Sequence, residues 1–527
     1  MPFLLHELLF QQALKTPDAK ALGCKQDWRS YQQLSDICQQ LCRSFQAVNV
    51  KYADRIAIYL PKSIEAVVSC LAASANGSIF VPINPAVKST QVAHILANCE
   101  AKVLITNHAR LSQIDENQLK TVEHIVLIDE TNLTFDDISL WHWDSFLAAG
   151  DNAPSRTSAL VQTDIAAILY TSGSTGNPKG VVLSHQNLVV GAQSVSDYLP
   201  CKSTDIMLGA LPLSFDYGFS QITIAFITGA SCYLVDYVFP HELFKVIEQQ
   251  AITTMALVPP LWIALANEPW PEQATKNIRY FCNTGGSMPT STLSQLRDYM
   301  PQAEPFLMYG LTEAFRSCYL PPSEIDNRPT SFGRAIPNAN ILVINEHGEE
   351  CAPHEHGELV HCGPLVSQGY WNDAAKTNQR FKPSPTRKSE VKTPELAVWS
   401  GDIVTRDEQG YLYFVGRRDD MIKTSGYRVS PQEIEDIIYQ LPTIKEAVVT
   451  GVPHPVLGQA LIAVVIPHGD STSCHDIMRN CRALLPNFML PVQIFIVDSL
   501  QRNSNGKFDR IYWQSHYQHL FANGLNK

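Results

Sequence analysis

The chain has 527 residues, of which 45% are apolar and 17% charged, with a formal net charge of −11. That length exceeds what one hydrophobic core supports, so at least two domains are expected of an otherwise ordinary globular composition. The acidic balance, with no basic block, excludes a nucleic-acid partner on electrostatic grounds, and no apolar run approaches the roughly 20 residues that a membrane span needs. At the N-terminus His6 and Glu7 interrupt the short apolar stretch, which speaks against a signal peptide. The thirteen cysteines are scattered, odd in number and without a CxxC pair, a usage that fits a reducing cytoplasm better than a disulfide framework or a zinc site.

From Arg55 onward, short β-branched runs alternate with longer amphipathic stretches: "RIAIYL", "SIEAVVSCLAASA", "SIFVPIN", "TQVAHILANCE", "KVLITN" and "HIVLID". This alternation predicts a parallel sheet flanked by helices. A second α/β unit is predicted from about Asp164 to Pro322, with "AAILY", "SCYLVD", "TTMALVP" and "IRYFCNTG" as strands. After Ser331 the texture turns to hairpin-like runs with glycine turns, "ILVINEHGEE", "GELVHCG" and "GYLYFVG", which predict a β-rich unit. Within it, "FKPSPTRKSEVKTPEL" reads as an exposed loop. The expected fold is therefore α/β and multi-domain. A large N-terminal domain (1–418) holds two α/β sheet subdomains and a β-rich subdomain, and a small α+β C-terminal domain (419–527) follows the charged, glycine-bearing "GRRDDMIKTSGYR".

Between the strand-like "IAAILY" and Ser184, which could cap a helix, lies "YTSGSTGNPKG" from Tyr170 to Gly180. Glycines and hydroxyls of this density can fold backbone N–H groups into a phosphate-sized concavity, with Lys179 adding a point charge. The P-loop reading fails, because Pro178 stands where that motif needs its second glycine and Gly180 follows the lysine.

The stretch instead resembles the phosphate loop of the adenylate-forming enzymes, a family that includes acyl-CoA synthetases, the adenylation domains of nonribosomal peptide synthetases, and firefly luciferase. Further stretches match that family in the same order: "LPLSFDYGFSQ" (211–221), "NTGGSMP" (283–289), "MYGLTEA" (308–314), "GEL" (357–359), "SGDIV" (400–404), "GRRDDMIKTSGYRVSPQEIE" (416–435) and "NSNGK" (503–507). The resemblance spans essentially the whole chain. It implies ATP and Mg2+ as cofactors and a reaction in two halves. A carboxylate attacks the α-phosphate of ATP, and a thiol then displaces AMP. Because both first-half reactants are anions, such chemistry calls for cations and oriented donors rather than a protein nucleophile.

Carried over residue by residue, the resemblance implies that Thr171, Ser172, Gly173, Ser174, Thr175, Gly176 and Lys179 surround the β- and γ-phosphates. Thr312 and Glu313 match the α-phosphate and magnesium contacts. Tyr309 matches the residue stacked on adenine, beside Gly285, Gly286 and Ser287, and Asp402 matches the acceptor of both ribose hydroxyls. Where the family often has Tyr-Arg-Thr before that Gly-Asp, this chain has Val398, Trp399 and Ser400. Arg417 is expected at the phosphates or ribose. Lys507, at the tip of a turn-forming "NSNGK", matches the lysine that bridges the attacking carboxylate and the α-phosphate. Asp419 matches the hinge about which the C-terminal domain would move, and Gly426 the glycine that lines the thiol tunnel.

Phe215 matches the aromatic gate of the acid pocket. Asp216 matches the aspartate that pairs with an α-ammonium group, which a plain fatty acid lacks. Tyr217, Ser220, Cys282, Thr284, Met308, Arg316 and Ser317, with Leu261, match the rest of the pocket. Arg316 is expected to turn away into a salt bridge; the alternative is that it faces an acidic substrate. Resemblance is greatest to freestanding enzymes that load proline onto a carrier protein and to exosortase-associated ligases. The expected activity is adenylation of an amino acid, with L-proline leading, and transfer to a separate phosphopantetheinylated carrier protein. An acyl-CoA ligase using CoA is the alternative, and a non-catalytic nucleotide-binding protein is disfavoured because Lys507, Glu313 and Asp402 are all present.

Overall fold

The computed structural model describes residues 2–151, 159–171, 178–386, 390, 395–418, 421–424, 427–469, 472–503 and 507–521. Among them three sheets form. The first has seven strands in the order Ser139–His142, His124–Leu127, Ala101–Thr106, Arg55–Tyr59, Ile79–Pro82, Ile165–Thr171 and Lys179–Ser184. All of its pairs are parallel except the last. Its central strands are buried along nearly their whole length, as the unbroken apolar runs of a two-sided parallel sheet require. The intervening helices obey local signals. Ser63, for example, accepts from the Ala66 amide at 3.2 Å to start Ile64–Asn76.

Two predicted assignments change here. "AAILY" belongs to this first sheet rather than to the second unit, through its parallel contact of Ala167 with Phe80. After the glycine and hydroxyl loop the chain does not enter a helix at once. Thr171 pairs antiparallel with Lys179, so Lys179–Ser184 returns as a strand and the helix His185–Tyr198 follows. Ser184 caps that helix, its hydroxyl accepting from the Asn187 amide at 3.2 Å.

The second α/β unit and the β-rich unit are not separate sheets. Five parallel strands, Ser231–Leu234, Ile206–Gly209, Thr254–Leu257, Tyr280–Asn283 and Glu304–Tyr309, continue through Cys318–Leu320 and Ser331–Ala335. From there the sheet runs into Leu412–Arg417, Leu396–Arg406, Gly357–Cys362 and Asn340–Ile344. The join is made by Glu304–Tyr309, parallel on one side and antiparallel to Cys318–Leu320 on the other, followed by the Cys318–Ala335 pairing. At the far edge the N-terminal hairpin Lys20–Cys24 and Asp27–Ser30 is added, with Leu22 opposite Cys232. The start of the predicted exposed loop, Phe381–Pro383, is a short strand against Leu396–Arg406.

The C-terminal portion forms a five-stranded sheet built on the hairpin Ile444–His454 and Gly458–Pro467. Ile434 and Ile438 from one helix, Ile477 from another, and Val449, Ala463 and Val465 from the sheet make its own core. The architecture is thus mixed α/β, with a large N-terminal part and a smaller C-terminal part. Among the described residues no helix is long and apolar enough to cross a membrane.

Candidate active site

The site lies where the carboxyl ends of the parallel strands of the large sheet meet the β-rich strands and the C-terminal sheet. That is the end at which open α/β sheets bind ligands. Tyr309 ends its strand there, and its phenol donates to Asp402 Oδ2 on Leu396–Arg406. Arg417 Nε stands 3.2 Å from Asp402 Oδ1 as an ion pair without hydrogen-bond alignment, which leaves that oxygen able to accept from a ligand. Burial pushes the Asp402 carboxyl above its usual range, against the pull of Arg417 and of the Tyr309 hydrogen bond. The Tyr309 ring packs against Phe332 with centroids 4.7 Å apart.

Thr312 and Glu313 follow in a short 3-10 turn and face different partners. Thr312 Oγ1 donates to Asp216 Oδ1 at 3.1 Å, and Glu313 Oε1 accepts from the Tyr370 phenol at 2.6 Å. Lys179 lies with its ammonium 5.8 Å from the centre of the same Tyr370 ring. Burial lowers the Lys179 pKa, as do Lys376 and Arg380, while Glu313 opposes them. Tyr370 and Arg380 stand outside the matched motifs and carry no signal in the sequence alone. Arg380 donates to the Trp399 carbonyl at 3.1 Å beside Gly401, and its charge acts on both Asp402 and Lys179.

Lys507 reaches this group from the C-terminal sheet. A Cβ on Gly285 would lie 3.4 Å from Lys507 Cε and 3.8 Å from its Nζ. Gly285 has φ +83°, a left-handed backbone that favours glycine, and this lets the lysine pass over the turn. Lys507 is held to Asn503, its amide donating to Asn503 Oδ1 at 3.1 Å and the Asn503 amide donating to the Lys507 carbonyl at 2.8 Å. Burial depresses the Lys507 pKa and Arg417 adds to that, whereas Asp216, Asp402 and Glu313 hold the ammonium charged. Gly286 and Ser287 are exposed on the same turn, and the Gly286 carbonyl accepts from Asn283 Nδ2 at 3.1 Å.

The acid pocket is built on the helix Asp216–Thr228, with Phe215 at its N-cap. Gly218 makes this possible, because a Cβ there would sit 2.1 Å from the Pro212 carbonyl oxygen and push the helix off the preceding loop. Asp216 is buried in the first turn. Burial raises its pKa, while Arg316, the Thr312 hydroxyl and Lys507 draw it back. Tyr217, Cys282, Met308 and Arg316 line one small cavity with Gln221 and Tyr280. Ser220 Oγ donates to the Tyr217 carbonyl and accepts from Arg316 Nη2 at 2.9 Å.

Arg316 does not turn away into a salt bridge as expected. Its guanidinium lies 4.4 Å over the Tyr217 ring, fully buried, with Ser220 as its side-chain hydrogen-bond partner among the described residues. Among those residues no acidic side chain forms an ion pair with it, so the pocket keeps the charge. Ser317, expected in the pocket, pairs its hydroxyl with His361 Nδ1 at 2.8 Å instead, and Leu261 is core. Thr171 stands at the base of the glycine loop. Ser172, Gly173, Ser174, Thr175 and Gly176, with Asp419 and Gly426, lie outside the described residues.

Comparison with known proteins agrees along the whole chain. A family model described as AMP-binding enzyme matches residues 9–371, and one described as AMP-binding enzyme C-terminal domain matches 433–507. An L-proline--[L-prolyl-carrier protein] ligase of Pseudomonas fluorescens is 29% identical over 96% of this chain and 98% of its own length. An indoleacetate--CoA ligase of Aromatoleum aromaticum is 28% identical over 95% and 96%. A linear gramicidin synthase of Brevibacillus parabrevis is 30% identical over 96% of this chain, but the chain spans only 9% of that protein's length. Among solved structures, ATP-bound MatB from Rhodopseudomonas palustris superposes with a TM-score of 0.86 at 25% identity, covering 99% of this chain and 100% of that one.

Proposed function

The chain belongs to the AMP-binding enzyme family, and from that premise we propose that it adenylates an α-amino acid and passes the acyl group to a thiol. In the first half the substrate carboxylate oxygen attacks the α-phosphorus of ATP and the bond to the β-phosphate bridging oxygen breaks. The acyl-adenylate forms and pyrophosphate leaves. In the second half a thiol attacks the acyl carbon, the bond to AMP breaks, and a thioester results.

The observation that carries this reading is the convergence of Lys507 from the C-terminal sheet on Gly285, within electrostatic reach of Asp216, Glu313 and Asp402. A cation at that point acts both on Asp216 in the acid pocket and on Asp402, the ribose acceptor. There it can hold the attacking carboxylate against the α-phosphate and offset charge building on it. Lys507 and Thr312 are the α-phosphate groups in this scheme. Lys179, with the loop after Thr171, holds the departing pyrophosphate, and Tyr309, Gly285, Gly286 and Ser287 receive adenine. Asp402 and Arg417 receive the ribose. Glu313 is a single carboxylate, and no cluster of three His, Cys, Asp or Glu stands among the described residues. That fits a Mg2+ held mainly by phosphate oxygens and water, which would neutralise phosphate charge.

Asp216 supports an amino acid as substrate. A buried carboxylate opposite Thr312 is suited to receive an α-ammonium group, and a plain acyl chain offers it nothing. L-Proline, named in a relative of nearly equal length, is the first compound to test. The acceptor is the phosphopantetheine thiol of a carrier protein or CoA. For either thiol to reach the acyl carbon Lys507 must withdraw, a movement assigned to a hinge at Asp419 with Gly426 then lining the thiol path.

ATP–pyrophosphate exchange tests the first half, with amino acids, fatty acids and aromatic acids compared and Asp216→Asn alongside. Exchange with an amino acid, lost roughly a hundredfold in D216N, is the expected outcome. Exchange confined to acids without an amino group overturns the reading. Mass analysis of a phosphopantetheinylated carrier against CoA after the second half identifies the acceptor.

A further inference from the structure

We propose that the amino acid activated here carries a second carboxylate, on its side chain, and that Arg316 and Tyr217 bind it at the distal end of the pocket. The inference rests on the amino-acid reading of Asp216 given above and adds the class of side chain.

Two observations carry it. First, buried donors at this end of the site lack partners. Arg316 Nε and the Tyr217 hydroxyl are both buried and have no hydrogen-bond partner among the described residues, and the two residues line the same small cavity. Buried N–H and O–H groups are nearly always satisfied, so two orphaned donors on residues that line one cavity point to an accepting ligand. Both are donors, and a carboxylate is an acceptor with two oxygens to offer, whereas an aliphatic side chain offers none.

The second observation is the charge count. Apart from Lys507, which in the scheme above pairs with the substrate's α-carboxylate, the pocket holds one anion, Asp216, and one cation, Arg316, which act on each other electrostatically without direct contact. When an α-ammonium group occupies Asp216, the guanidinium loses that compensation and two cations share one buried carboxylate. An amino acid with a neutral side chain, proline included, leaves a surplus positive charge in a dry site, which is costly. A side-chain carboxylate restores neutrality. The guanidinium is already fixed for that role, stacked over the Tyr217 ring and held by Ser220. The cavity bounded by Cys282 and Met308 has room for about one water-sized group, so only the carboxylate end of a short side chain would enter it.

The test is ATP–pyrophosphate exchange by the full chain with aspartate, glutamate, asparagine, glutamine, proline, malonate and succinate. The expected result is that an acidic amino acid exceeds its own amide roughly a hundredfold or more in kcat/KM. Arg316→Gln should bring that ratio close to one, chiefly through KM, and Tyr217→Phe should lower it about tenfold. The wild-type panel does not depend on either variant folding. Preference for proline or another neutral amino acid overturns the proposal and leaves the amino-acid reading standing. Preference for malonate or succinate sustains the Arg316 assignment and overturns the ammonium role of Asp216. No exchange with any acid of the panel, or a ratio unchanged in R316Q, overturns the proposal.

Discussion

The nucleotide face and the acid pocket meet at Thr312 and Lys507, yet the buried atoms they leave without a partner among the described residues differ in kind. On the nucleotide face each carboxylate already has a partner from the chain. Asp402 has Tyr309 and Arg417, and Glu313 has Tyr370. In the acid pocket Arg316 Nε and Tyr217 Oη, both donors, are buried and unpartnered among the described residues. The two halves therefore meet different demands. On the nucleotide face Asp402 Oδ1 is a buried acceptor without a hydrogen-bond partner among the described residues, available to a donor of the ligand. A closed pocket cannot borrow water, so its orphans record the shape and polarity of the missing ligand.

That contrast can be broken most severely at the point the two halves share. Lys507→Ala is expected to lower ATP–pyrophosphate exchange by roughly 10³-fold or more, because it removes the cation that joins carboxylate to α-phosphate. ATP binding measured by calorimetry should change only a few-fold; near-normal exchange would exclude the role assigned to this lysine. On the nucleotide face alone, Asp402→Asn should raise the KM for ATP about tenfold or more with a smaller change in the KM for the acid. Equal effects on both substrates would mean that the two halves are not separable.

The smallest expected effect lies away from both halves and calibrates them. His6 and His185 are buried, and burial lowers each pKa to about 4 from 6.5. His185 Nδ1 accepts from the Leu5 amide at 3.1 Å, and His6 Nδ1 lies 3.0 Å from Ser74 Oγ. Because the folded pKa values are depressed, the unfolded chain takes up protons first as pH falls. Stability is therefore full above about pH 6.5 and declines toward pH 4, by on the order of 1–3 kcal/mol per histidine. Melting temperature followed over that window should fall, and His6→Gln should flatten the fall; an unchanged slope would contradict the assignment.

Much of this is legible in the sequence. The alternation of apolar runs locates most strands of both α/β units, because a strand buried on two faces must be apolar along its length. Among the described residues, Lys179, Glu313, Asp402, Arg417 and Lys507 of the ordered motifs act on one another electrostatically around Gly285. Other features are not legible, for reasons that differ from residue to residue. The strand Lys179–Ser184 is not marked off in the sequence because the short apolar "GVVLS" suits either state until Ile165–Thr171 pairs with it. The continuity of the large sheet depends on the Cys318–Ala335 pairing, a contact that local propensity does not encode. Ser317 matches a pocket position, but His361 on another strand offers its hydroxyl a better partner.

The sequence by itself determined the family, the order of the motifs and the chemical types present: a lysine near the end of the chain, an aspartate after the gate, an acidic residue after Thr312. Those follow from local spacing and residue chemistry, which need no knowledge of neighbours. Only the tertiary structure decided that Lys507 stands over Gly285, that Tyr370 holds Glu313, and that Arg316 stays in the pocket over Tyr217. Where a long side chain points is fixed by which partners other elements bring within a few ångströms, and by the cost of burying its charge without one.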